Sequence, residues 1–152
     1  MTSIQIIPYS PIYASTFKSL NEAWITKFFR LEPEDIHTLN HPQQIIDQGG
    51  FIFVALQETT PVGVCALKKM NEEQFEFSKL AVDEKCQGSG VGRKLIDAAI
   101  AKARIVGAKS LFLEGNTLLE ASIHLYKKVG FREIEGGETH YERVNITMKM
   151  PL

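Results

Sequence analysis

The chain has 152 residues, 44% hydrophobic and 23% charged, which is the composition of one ordinary globular domain spanning 1–152, able to bury a core without disulfide or metal staples. Its net charge of −1 gives no global field that would recruit nucleic acid or an anionic membrane. The opening Met1-Thr2-Ser3-Ile4-Gln5 lacks a charged segment followed by an apolar run, and no apolar stretch approaches the ~20 residues of a membrane span, so neither a signal peptide nor a membrane anchor is expected.

Residues 4–7 read as a short strand ended by Pro8. Residues 11–29 read as a helix, with Ser10 placed to cap it and Pro11 at its first position. Ile12, Phe17, Leu20, Trp24 and Phe28 recur at helical spacing, and such stripes are usually core, so Trp24, Phe28 and Phe29 are expected under the sheet; the other reading makes them an apolar pocket wall. A second short helix starts at 33–36 with Glu34 and Asp35 in the turn where the helix dipole favours acids, and 42–47 forms a third piece.

Gly49-Gly50 breaks the chain before three strands, 51–56, 62–70 and 74–82, joined by short connections as an antiparallel meander. Residues 90–106 form a helix whose apolar stripe is Val91, Leu95, Ala99 and Val106 with Ile96, Ile100 and Ala103 beside it, stopped by Gly107. Strand 110–114, helix 117–129 with Gly130 as its stop, and strands 131–134 and 141–150 complete the order. This is an α/β fold around one mixed sheet with helices on both faces. Cys65 lies in an apolar run and reads as a small buried residue; both it and Cys86 are expected as free thiols in a reducing, cytoplasmic setting. His37, His41 and His124 show no metal-ligand spacing, so no metal is expected.

Gln87-Gly88-Ser89-Gly90-Val91-Gly92-Arg93 joins a strand to a long helix. Amides at a helix start lack intrahelical partners, and with the positive helix end they form a site for phosphate. A plain flexible turn fits the local spacing too. Two phosphate motifs fail on residues. A P-loop needs Lys-Ser/Thr after its last glycine, where Arg93-Lys94 stands; a dinucleotide fingerprint needs glycine at Arg93 or Leu95.

The loop does fit Q/R-x-x-G-x-G/A through Gln87, Gly90 and Gly92, and Ala121-Ser122-Ile123-His124-Leu125-Tyr126-Lys127-Lys128-Val129-Gly130-Phe131 fits A-x-x-L-Y-x-x-x-G-F. In these two blocks, and over roughly residues 62–150, the chain resembles the GNAT superfamily of acyl-CoA-dependent N-acyltransferases. The resemblance implies a mostly antiparallel sheet of about seven strands flanked by about four helices, with strands 4 and 5 splayed into a V that admits acetyl-CoA or coenzyme A. It implies that Leu80, Ala81 and Val82 pair with the pantetheine arm, and that Gln87, Gly88, Ser89, Gly90, Val91, Gly92 and Arg93 hold the pyrophosphate. It also implies an amine acceptor, a small molecule or a peptide, and a homodimer is frequent in the family.

The resemblance assigns the chemistry residue by residue. Leu80 N–H is the candidate oxyanion donor and Tyr126 the candidate acid for the leaving thiolate; on its own helix Tyr126 would read as packing beside Ile123 and Leu119. Asn116 is a candidate cofactor contact, or an Asn satisfying its own turn, since the interval to Ala121 is longer than the family pattern. Glu76 is the candidate base, with His140, Glu142 and water as alternatives; strict alternation puts Glu76, Ser78, Leu80 and Val82 on one face, unless the bulge usual in the family intervenes. The reading is an N-acetyltransferase; the alternative is a catalytically silent coenzyme A sensor on the same fold.

Overall fold

Seven strands pair edge to edge into one sheet in the computed structural model, which describes residues 3–152. The strands are β1 (Ile4–Pro8), β2 (Phe51–Gln57), β3 (Thr60–Lys69), β4 (Gln74–Val82), β5 (Ser110–Gly115), β6 (Arg132–Ile134) and β7 (Ile146–Pro151), in the order β1-β2-β3-β4-β5-β7-β6. Every neighbouring pair is antiparallel except β4 with β5. The helices are α1 (Ala14–Phe28), α2 (Pro33–Asn40), α3 (Pro42–Asp47), α4 (Val91–Ile105) and α5 (Glu120–Val129). That is five rather than about four, the extra one being the six-residue α3.

Two cores sandwich the sheet. Leu95, Ile96, Ala99 and Ala103 of α4 and Ile123 of α5 pack on one face with Leu67, Phe77, Leu111, Leu113 and Met148. Phe17 and Ile25 of α1, Leu39 of α2 and Ile45 of α3 cover the other face against Ile52, Val54, Val64 and Ala66. Each fully buried Val, Leu, Ile, Phe or Met side chain contributes about 1.5–3 kcal/mol relative to exposure. Val106, expected on the α4 stripe, lies past the helix end and is 42% exposed.

Several expected boundaries move, each for a local reason. Pro11–Tyr13 is a 3₁₀ turn, Ser10 makes no side-chain cap, and α1 begins at Ala14. Helix α5 starts at Glu120 rather than 117, because Asn116 folds the next residues into a turn: its Oδ1 accepts Leu118 N–H at 2.8 Å and its carbonyl accepts Leu119 N–H at 3.0 Å. The last strand starts at Ile146 rather than 141, because 141–143 are pulled off the sheet by the carboxylates of Glu32 and Asp35.

Two features of β4 position the site. Its ladder with β5 joins only Gln74–Glu76 to Ser110–Phe112, and beyond that the strands part, which is the expected V. The β3–β4 register also slips between Val64 and Ala66, so Lys79 and Leu80 together oppose one residue of β3. Lys79 sits there at φ 57°, a left-handed conformation that costs a non-glycine residue about 1–2 kcal/mol. The bulge reverses parity. Phe77 and, three residues on, Leu80 both pack on the α4 side, while Ala81 packs on the α1 side. Strict alternation therefore fails: Leu80 and Val82 do not share the face of Glu76 and Ser78.

Candidate active site

The V opens into a cavity of about 790 Å³, bounded by the far half of β4, the glycine turn, α5, the end of β5, the end of α1 and the 141–144 segment. Of the residues the sequence singled out, Glu76, Leu80, Ala81, Val82, Gln87, Gly88, Gly90, Val91, Gly92, Arg93, Asn116 and Tyr126 all border it. Ser89 does not; its hydroxyl donates to the Cys86 carbonyl and closes the turn from within. Of the alternative bases, neither His140 nor Glu142 borders the cavity, and Glu142 pairs at the surface with Arg30 at 2.6 Å. Trp24, Phe28 and Phe29 do border it, as the pocket-wall reading has them; Phe28 is 49% exposed and so is not core, while Trp24 also packs against the α1-side core.

One end of the cavity is backbone. Gly90 caps α4 at φ 86° and Gly88 stands at φ 83°, conformations that exclude most side chains. A β-carbon at either would meet nothing within 4 Å, so the face over the turn is open. The first amides of α4 have no carbonyl one turn back and point into that space. On β4, Asp83 N–H donates to Val62 O at 2.8 Å, and Val82 stands opposite Gly63 as the intervening pair. The amide and carbonyl of Val82 therefore turn away from β3 into the V. The Val82 carbonyl accepts Gln87 Nε2 at 3.2 Å. Asn116 holds the far lip: its Nδ2 donates to Arg143 O at 2.6 Å.

The middle of the cavity is aromatic. Tyr126 is wedged edge-on between Phe77 and Phe131, with centroids 6.1 and 6.0 Å away. Burial pushes its phenol up to about 12, against a lowering from Ser122, so it is a protonated donor throughout the neutral range. Glu76 is pushed above the ordinary carboxylate range, chiefly by burial and secondarily by Glu114, with Lys68, Lys79 and His140 opposing.

Behind the cavity lies an ionic cluster that sequence reasoning missed. Asp35, fully buried, receives Arg143 on both oxygens at 2.6 Å and Lys79 Nζ at 2.9 Å. Arg143 also reaches Glu32 at 3.3 Å, and Lys79 reaches the Tyr141 hydroxyl at 3.3 Å. The Arg143 guanidinium lies 4.5 Å from the Tyr141 ring centroid and 5.6 Å from that of Trp24. Burial alone would raise the Asp35 carboxyl; Arg143 and Lys79 overcome it and hold it at about 2. The available signal was Lys79 itself, a lysine between Phe77 and Ala81 on a buried strand, which requires a buried partner.

Comparison with known proteins supplies the rest. The Acetyltransferase (GNAT) family profile matches residues 13–131. A probable N-acetyltransferase, camello, from Xenopus laevis is 30% identical over 106 residues, covering 68% of this chain and 48% of that protein. The chain spans less than half the length of the curated relatives it matches. Among solved structures, a GNAT-family acetyltransferase from Staphylococcus aureus Mu50 superposes with a TM-score of 0.90 at 19% identity, over 98% of this chain and 99% of that one. The PaiA N-acetyltransferase of Thermoplasma acidophilum in complex with coenzyme A superposes with a TM-score of 0.80 at 16% identity, over 99% of both chains. Among the described residues, no helix is long and apolar enough to cross a membrane.

Proposed function

The chain belongs to the acetyltransferase (GNAT) family, and on that premise we propose that it moves an acetyl group from acetyl-CoA to a primary amine by direct attack on the thioester. The observation that carries this reading is the junction of two surfaces in one cavity. Open main-chain amides at the start of α4 suit a diphosphate, and the edge of β4 that faces the V leads from them to Glu76 and Tyr126.

The diphosphate lies over residues 88–93, neutralised by the helix end rather than by a lysine. The pantetheine arm runs along Leu80–Val82 as an added strand, and Gln87 must release the Val82 carbonyl or share it. The amine nitrogen attacks the carbonyl carbon, the carbon–sulfur bond breaks, and the coenzyme A thiolate leaves. Leu80 N–H is assigned to the developing oxyanion. Glu76, directly or through water, takes the proton that the ammonium must lose before attack, and the second proton, shed by the nitrogen as the amide forms, ends on the departing sulfur to give the free thiol. Tyr126 donates a hydrogen bond to the thiolate. With a phenol at about 12 against a thiol near 8.5, full proton transfer from tyrosine is uphill, so Tyr126 stabilises charge rather than delivering the proton outright.

Three outcomes test this. With acetyl-CoA, free thiol should appear in proportion to added amine; tight binding of acetyl-CoA without amine-dependent release would make the protein a sensor. Tyr126→Phe should lower kcat about 10–100-fold, the worth of a hydrogen bond to a charged group, and leave coenzyme A affinity nearly unchanged; full turnover in that variant would remove the tyrosine from the mechanism. Glu76 works only when ionised, so kcat/KM should climb as pH rises through its elevated pKa, above the ordinary carboxylate range. Glu76→Gln should abolish that acid limb and cost about a hundredfold or more in rate. An unchanged profile would pass the role to water or to His140.

A further inference from the structure

The sequence leaves the acceptor open among small amines, polyamines, amino acids and peptide termini. The acceptor half of the cavity narrows the choice, on the premise that the acetyltransferase reading is right. Its charges sort into two groups. Lys79 and Arg143 border the cavity, but each is paired with a buried carboxylate, so this group is two cations, Lys79 and Arg143, against two anions, Asp35 and Glu32. It has no net positive charge left for an acid group on the acceptor.

The second group lies on the sheet. Leu111 and Leu113 face α4, so alternation turns Glu114 to the opposite face, and Glu76 shares that face with Ser78 across from Lys68 and Ala66. Glu76 and Glu114 interact as like charges, and Lys68, Lys79 and His140 act on Glu76 in the opposite sense. Lys79 is already paired with Asp35, so with histidine neutral the two carboxylates stand against Lys68 and leave a surplus of one negative charge. Ser78 Oγ is buried there with no hydrogen-bond partner among the described residues, and Ser78 borders the cavity. A buried hydroxyl without a partner is unfavourable, so it suits an N–H donor arriving from outside the protein.

Away from these groups the wall is Trp24, Phe29 and the half-exposed Phe28, with Trp24 and Phe29 edge-to-face at 6.4 Å. A polyamine would need further carboxylates along that wall, and none borders it there. We propose that the acceptor is a primary amine carried on a flat apolar body with no acidic group, its ammonium end received by Glu76, Glu114 and the Ser78 hydroxyl and its body lying on Trp24, Phe28 and Phe29.

The test is thiol release from acetyl-CoA with four acceptors: 2-phenylethylamine, L-phenylalanine (the same body with a carboxylate added), spermidine and a short peptide with a free N-terminus. Acetyl-CoA binding is measured in parallel by calorimetry. The proposal expects kcat/KM for 2-phenylethylamine to exceed each of the others by at least about tenfold, the scale set by an unneutralised like charge in a partly buried site. Glu114→Gln should shrink its advantage over phenylalanine, and Ser78→Ala should raise KM for 2-phenylethylamine more than it lowers kcat. Equal or better use of phenylalanine, spermidine or the peptide overturns the acceptor class and leaves the transferase standing. Acetyl-CoA binding with no release from any of the four overturns the acceptor class too, and it favours the sensor over the transferase. If acetyl-CoA does not bind, the transferase reading falls and this inference with it.

Discussion

Replacing Arg143 with methionine should destabilise the fold by about 3–5 kcal/mol, the usual effect of removing one partner from a buried ion pair. Arg143 supplies three of the short contacts to Asp35 and Glu32, and Asp35 has no exposure through which water could replace them. Urea unfolding should show a lower midpoint at an unchanged slope. A loss below about 1 kcal/mol would mean the cluster behaves as a surface pair and would contradict the geometry. The same cluster sets an acid limit. Asp35 is held at about 2 against an ordinary 3.8, so its contribution is complete above the ordinary value and is lost as pH falls toward 2. It amounts to roughly 2 kcal/mol. The wild type should therefore lose stability between about pH 4 and 2, and the slope in that window should flatten in Asp35→Asn, whatever that variant's stability at neutral pH.

Gly92→Glu should do the reverse, removing donor binding while sparing the fold. Gly92 lies in the first turn of α4 with ordinary helical geometry, and a β-carbon there would meet Leu125 at 3.5 Å, a normal contact. An acid in the first turn of a helix is favourable by a few tenths of a kcal/mol. The same carboxylate would stand where the account puts a diphosphate. Coenzyme A affinity should fall by about a hundredfold or more, with the melting temperature unchanged or slightly raised. Retained affinity would place the diphosphate elsewhere.

The two blocks that carry the fold were legible because their chemistry is local. Gly88 and Gly90 stand immediately before the helix that opens at Val91, and Tyr126 stands four residues before Gly130. The ionic cluster was not legible, because Asp35 meets Arg143 across 108 positions and Lys79 across 44. Its consequences follow: the last strand begins five residues later than the 141 that the sequence pattern predicts, since nothing in Tyr141-Glu142-Arg143 announces a partner on α2. Helical spacing found the stripe ending in Trp24 and Phe28, but periodicity reports which face is apolar, not whether it meets core or cavity. The parity of β4 turned on a bulge, and a lysine at positive φ leaves no mark in a strand otherwise free of glycine.

The donor site stands or falls on the main-chain amides of 88 and 90–93 holding a diphosphate and so aiming a thioester into the V. Calorimetric titration with coenzyme A, dephospho-coenzyme A and pantetheine tests it most directly, because the three share the thiol arm and only the first two carry the diphosphate. Dephospho-coenzyme A should keep most of the affinity of coenzyme A, and pantetheine should bind at least about a hundredfold more weakly, a difference of roughly 2.7 kcal/mol. Equal binding of pantetheine and coenzyme A would contradict it.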